Sequence, residues 1–116
     1  MAVGPPRQGD VWWVGLDPVI GSEQAKTRPA LIVSIDEINR APARLCIIAP
    51  ITTTPRESAV RIELPRASGA TRVGYVEPYQ IRTISQDRLS KRIDMAEEKV
   101  RRDVAYRIEL YTRCRP

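Results

Sequence analysis

Val11-Trp12-Trp13-Val14-Gly15-Leu16, framed by Gly9-Asp10 and Asp17-Pro18, is the stretch on which the fold turns. It is rich in β-branched and aromatic residues and short enough to be a strand. Apolar residues stand at successive positions, so both faces must be covered, as in a small closed barrel. Downstream, Arg28 to Ser34 and Leu45 to Ile51 read the same way. Val60-Arg61-Ile62-Glu63-Leu64 alternates apolar and charged residues, as a half-exposed antiparallel strand does. Val73 to Val76, Gln80 to Ile84 and Leu89 to Ile93 add short strands. Only then does the period change. Val100, Val104, Ile108 and Tyr111 share one face of a helix expected over Met95 to Thr112, with Asp94 and Glu97 spaced as a capping box. Six or seven strands followed by one helix, without βαβ alternation, predict a mainly β (α+β) fold: a small antiparallel barrel with a C-terminal α-helix.

The 116 residues allow one domain, 1–116, with residues 1–8 expected as a flexible N-terminus. Hydrophobic residues make up 42% and charged residues 28%, which excludes a disordered chain. There is no His, so imidazole acid–base chemistry, Ser-His-Asp and Cys-His nucleophiles and nearly all zinc sites are excluded. Cys46 and Cys114 have no CxxC spacing; Cys46 sits in an apolar run and reads as a core residue. Neither a signal-peptide core nor a bilayer-length apolar run is present, which predicts a cytoplasmic protein with reduced thiols. The net charge is +5, and 16 of 19 basic residues are Arg. The guanidinium fork suits a polyanion partner, and a GC-rich genome explains the same bias equally well.

Four segments are candidates for chemistry. The polar connection from Gly21 to Thr27 is long for a hairpin and ends at Arg28-Pro29, where proline steers Arg28 toward extended backbone. That geometry aims a fixed cation into a groove or leaves a plain edge-strand arginine in water. Thr52, Thr53 and Thr54 end a strand and suit either turn chemistry or hydrogen bonds to phosphoryl oxygens. In Glu77 to Ile84, alternation puts Gln80, Arg82 and Ile84 on one face, with Tyr79 as a stacking surface or a rim tyrosine. The helix mixes Lys99, Arg101, Arg102 and Arg107 with Glu97, Glu98, Asp103 and Glu109, which reads as a solvated face. Asp36-Glu37 and Glu97-Glu98 are adjacent pairs that point apart, so paired-carboxylate chemistry has no support.

Three ordered blocks resemble the MazF/PemK family of bacterial toxin–antitoxin pairs, within the CcdB-like superfamily. They are GDVWWVGLDPVIGSEQAKTRPALIVS at 9–34, APITTT at 49–54 and QIRTISQDRLSKRI at 80–93. The resemblance implies an SH3-like β-barrel, a homodimer, no cofactor, and a metal-independent ribonuclease acting on single-stranded RNA. It also implies a MazE-like antitoxin with an acidic tail. It matches Arg28 to the catalytic arginine and Thr52 to the catalytic hydroxyl. Glu23 and Gln24 match the mobile loop flanking the site, and Gln80 matches a position lining the RNA groove. Lys26, Thr53, Tyr79 and Arg82 complete the candidate RNA contacts. Lys26-Thr27 depart from the glycine that relatives often carry there, and Tyr79 is a less usual residue before Gln80.

The implied chemistry suits a chain without His. RNA supplies its own nucleophile, the 2′-hydroxyl, so the enzyme has to align the attack and stabilise charge on the phosphorane. Arg28 suits that electrostatic role and is a poor base, since a guanidinium carries donors and no acceptor for a proton. Glu23, the nearest carboxylate in sequence, is the candidate general base. Two other readings stand beside this one: a CcdB-like poison of DNA gyrase without hydrolytic activity, and a non-catalytic RNA-binding module.

Overall fold

The computed structural model describes residues 4–15, 27–52, 62–64 and 74–116. Seven strands run in the order β1 (Asp10–Gly15), β2 (Thr27–Ile32), β3 (Leu45–Thr52), β4 (Ile62–Leu64), β5 (Gly74–Val76), β6 (Arg82–Ser85) and β7 (Leu89–Met95). A single turn of helix, α1 (Asp36–Asn39), lies between β2 and β3, and α2 (Glu98–Thr112) closes the chain. Every described pairing is antiparallel. Spatially β7, β1, β2 and β3 follow one another, and the far side of β3 carries β6 along its first half and β5, then β4, at its end. A 3-10 turn at Gln86–Arg88 joins β6 directly to β7, so the two outer strands of the five-stranded sheet are chain neighbours. That short link requires the sheet to curl, and the predicted mainly β, barrel-like architecture with a C-terminal helix is what forms.

Successive side chains of a strand point to opposite faces, and here they feed two cores. Trp12, Val14, Ala30, Ile32, Cys46, Ile48 and Ile84 fill the inside of the curl. Val11, Leu31, Ala49 and Ile51, which alternate with them, pack with Ile62 and Val76 against Ala96, Val100 and Val104 at the helix. This two-sided burial explains why the first three strands read as unbroken apolar runs. Ile108 is half-buried and Tyr111 exposed, so the helix stripe is buried through its first half only.

Four local expectations differ from what forms. The capping box at Asp94 does not: β7 runs on through Met95, with Val11 paired to Asp94 and Asp10 to Met95. Strand pairing overrides the local cap, and Asp94 Oδ1 instead accepts from the Met95 amide at 2.7 Å. The helix therefore begins at Glu98, with Glu97 as an N-cap that makes no side-chain capping bond. Gln80 belongs to a 3-10 turn, Pro78–Gln80, not to a strand, and β6 starts at Arg82. The chain is also tied down before residue 9. The Arg7 amide donates to Asp10 Oδ2 at 2.8 Å, and the Gln8 amide to Asp36 Oδ1 at 2.9 Å. No helix among the described residues is long and apolar enough to cross a membrane.

Gly9 explains why Gly-Asp precedes the first strand. Its φ is +94°, and a Cβ there would collide with Arg101 and Met95 side chains. The close approach lets the Gly9 amide bond the Ile32 carbonyl at 2.8 Å while its own carbonyl accepts from Ala96 at 2.9 Å. A buried polar cluster fixes α1 to the barrel. Asn39 Nδ2 donates to the Ser34 carbonyl at 3.0 Å, and Gln86 Nε2 donates to the Asn39 and Leu45 carbonyls at 2.6 and 3.0 Å.

Both cysteines are free, Cys46 in the inner core and Cys114 at the surface. Burial raises the Cys46 thiol to about 11, because the thiolate loses its hydration there. At pH 8 an alkylating reagent should modify one thiol per native chain, and the second only after denaturant. Two equally fast modifications would contradict this core.

Candidate active site

Three strands meet where the curled sheet opens to solvent. Ile51 of β3 pairs with Val76 of β5, which pairs with Ile62 of β4, and all three are buried against the helix side. Alternation then forces the next row, Thr52, Tyr75 and Glu63, onto the opposite face. Thr52 and Tyr75 are half-buried there and Glu63 is exposed.

On the other side of β3, the ladder to β2 pairs Ile32 with Ile48, Leu31 with Ala49 and Ala30 with Pro50. Continued by two residues, the same register would set Arg28 opposite Thr52, beyond the last observed pair at Ala30 and Pro50. Pro29 explains why the ladder itself stops at Ala30, for it has no N–H to give. Arg28 is exposed and still held on its far side, where β1 pairs Val14 with Arg28. It shares the face of Ala30 and Ile32, whose side chains enter the inner core. Arg28 and Thr52, 24 positions apart in the chain, lie two residues beyond the last paired residues of β2 and β3, Ala30 and Pro50.

Arg88 fastens this end of the barrel, its Nη1 donating to the Gly15 carbonyl at 3.1 Å. Arg82 is exposed and pairs with Ile48, which puts it on the same face as Ile84 and opposite Ile81, as alternation predicts. Gln80 is exposed in the 3-10 turn, so its alignment with Arg82 does not come from strand geometry. Tyr79 is exposed at 45%, and its hydroxyl donates to Glu77 Oε2 at 2.9 Å. Glu23, Gln24, Lys26 and Thr53 lie outside the described residues. Tyr75 and Glu63 were not singled out from the sequence. Only the register of two three-residue strands reveals them, and no local motif marks it.

A recess of about 410 Å³ between α2 and the sheet is lined by Leu31, Val33, Ile47, Ile81, Arg101 and Ile108, among others. It shares no residue with the Arg28–Thr52 row and lies on the helix side. Among the described residues, no group of three or more His, Cys, Asp and Glu side chains could hold a metal ion.

Comparison with known proteins identifies the family. The model for PemK-like, MazF-like toxins of type II toxin–antitoxin systems matches residues 7–112. The chain is 34% identical over 106 residues to the endoribonuclease PemK of Escherichia coli, covering 88% of this chain and 78% of that protein. It is 34% identical over 98 residues to the endoribonuclease EndoA of Bacillus subtilis, covering 81% and 83%. Among solved structures, MazF of Deinococcus radiodurans superposes with a TM-score of 0.76 at 24% identity, over 92% of this chain and 96% of that one. The MazE–MazF complex of the same organism gives 0.78 at 24%, over 91% and 94%. By sequence and by fold, the chain belongs to the PemK-like, MazF-like family of type II toxin–antitoxin toxins.

Proposed function

We propose that this protein is the toxin of a type II pair: an endoribonuclease that cleaves single-stranded RNA without a metal ion and so stops translation. What supports this is the β2–β3 register, which, extended two residues past its last pair at Ala30 and Pro50, would bring the exposed Arg28 opposite Thr52. In-line attack of the 2′-oxygen on phosphorus forms a 2′,3′-cyclic phosphate and breaks the bond to the 5′-oxygen, which takes a proton from Arg28, later regained from water, and leaves as a 5′-hydroxyl. The transition state gathers negative charge on the non-bridging and leaving oxygens. Arg28 spans both with its fork of donors, and Thr52 donates to a non-bridging oxygen. Glu23 takes the 2′-hydroxyl proton. Gln24, Lys26, Thr53, Tyr79, Gln80 and Arg82 hold the flanking nucleotides.

The protein works as a homodimer in the cytoplasm, where single-stranded RNA is found. Its antitoxin carries an acidic, apolar tail that competes with RNA for the basic face. The test is incubation of purified protein with a long single-stranded RNA in EDTA, with a gyrase supercoiling assay in parallel. Products ending in 2′,3′-cyclic phosphate and 5′-hydroxyl are expected. Gyrase poisoning with intact RNA, or RNA binding without product, would refute the reading.

A further inference from the structure

Beyond Thr52 the row continues to Tyr75 and Glu63, one strand apart each, on the side facing away from the helix. We infer that Tyr75 is the stacking platform for the base next to the scissile phosphate and that Glu63 reads the amino edge of that base. The inference rests on the nuclease reading above and extends its site across β5 and β4.

The geometry points this way for three reasons. Neighbouring strands lie about 4.8 Å apart, so Tyr75 stands one step from Thr52, where the base flanking a phosphate held at Thr52 would arrive. Tyr75 is half-buried, and every base offers an aromatic ring a π-face. Glu63 is an exposed carboxylate bordering a path for a polyanion. Facing the backbone it would repel phosphate, so its favourable partner is a base edge that donates. Amino groups of cytosine, adenine or guanine fit it, and uracil, with no amino group, fits it worst. Tyr79, by contrast, spends its hydroxyl on Glu77 and lies outside this row.

The experiment maps every 5′-hydroxyl end made from one long RNA by the wild type, Tyr75→Phe, Tyr75→Thr and Glu63→Gln, with circular dichroism to check folding. Tyr75→Phe should stay within about twofold of wild type, and Tyr75→Thr should lose roughly ten- to a hundredfold in kcat/KM, through KM. Glu63→Gln should keep the rate at the preferred site within about tenfold and admit uracil next to the cut. A Tyr75→Thr enzyme that cuts the same sites within twofold of wild type overturns the inference.

Because β5 is short, a second measurement uses the wild type alone. A 2′-deoxy RNA that cannot be cut carries 2-aminopurine on one side of the scissile phosphate or the other. Quenching at one side supports stacking, and none at either side overturns it. A wild type that leaves RNA intact would sink the nuclease reading itself. A wild type that cuts, with variants that behave identically, sinks only the extension.

Discussion

Arg28→Ala is expected to cost a factor of about 10³ or more in kcat/KM for RNA cleavage, with the fold and dimer unchanged. Removing one preorganised donor from a charge-developing centre costs about 10²–10³, and arginines that act on a phosphoryl transition state carry about 10³–10⁵. Arg28 is exposed and β2 is anchored on both sides from Ala30 onward, so stability should move by no more than about 0.5 kcal/mol. Arg28→Lys keeps a charge and loses the planar fork, and should fall between the two. Thr52→Val removes the hydroxyl at nearly constant shape. Combined with Arg28→Ala it should add almost nothing, because the proposed mechanism puts both groups on one phosphorane. Single-turnover cleavage in EDTA, with light scattering for the dimer, decides the matter. An Arg28→Ala protein that cuts within tenfold of wild type removes the guanidinium from the mechanism.

The sequence was most informative where one physical pattern ran long. Two-faced apolar runs marked β1 to β3 because those strands feed two cores, and the 3.6-residue period marked α2 because half its length is buried. Arg28-Pro29 announced its own extended backbone. What stayed hidden depends on partners distant in the chain. The four residues of α1 are too few to show a period, and the Ser34–Asn39–Gln86 cluster that holds them spans 52 positions. Asp94 and Glu97 satisfied a local capping rule that the β1–β7 ladder overruled. Tyr75 and Glu63 stand beside Thr52 only through register, which three-residue strands do not advertise. Pairing decided which side chains share a face.

Asp10→Ala should be the most destabilising change at the edge of the barrel, costing about 3 kcal/mol and lowering Tm on the order of 10 °C. The Asp10 side chain is 2% exposed and serves three donors: the Arg7 amide at 2.8 Å, the Trp12 indole at 3.2 Å and Arg92 Nε at 2.9 Å. Removing it strands the Trp12 N–H, which is buried with its ring, and unties both the segment before β1 and the β1–β7 contact. Arg92 is 45% exposed and can turn to water, so the cost sits below that of a fully buried pair. The reverse deletion, Arg92→Ala, leaves Asp10 with the Arg7 amide and the Trp12 indole as its donors. The double variant should therefore lose less than the two singles added, by at least about 1 kcal/mol in a urea-unfolding cycle. A loss under 1 kcal/mol for Asp10→Ala would show that the cluster contributes little. Asp10 starts β1, whereas Val14, near the other end, lies opposite Arg28. Cleavage at 20 °C should consequently survive the substitution that lowers Tm, separating what holds the barrel from what acts on RNA.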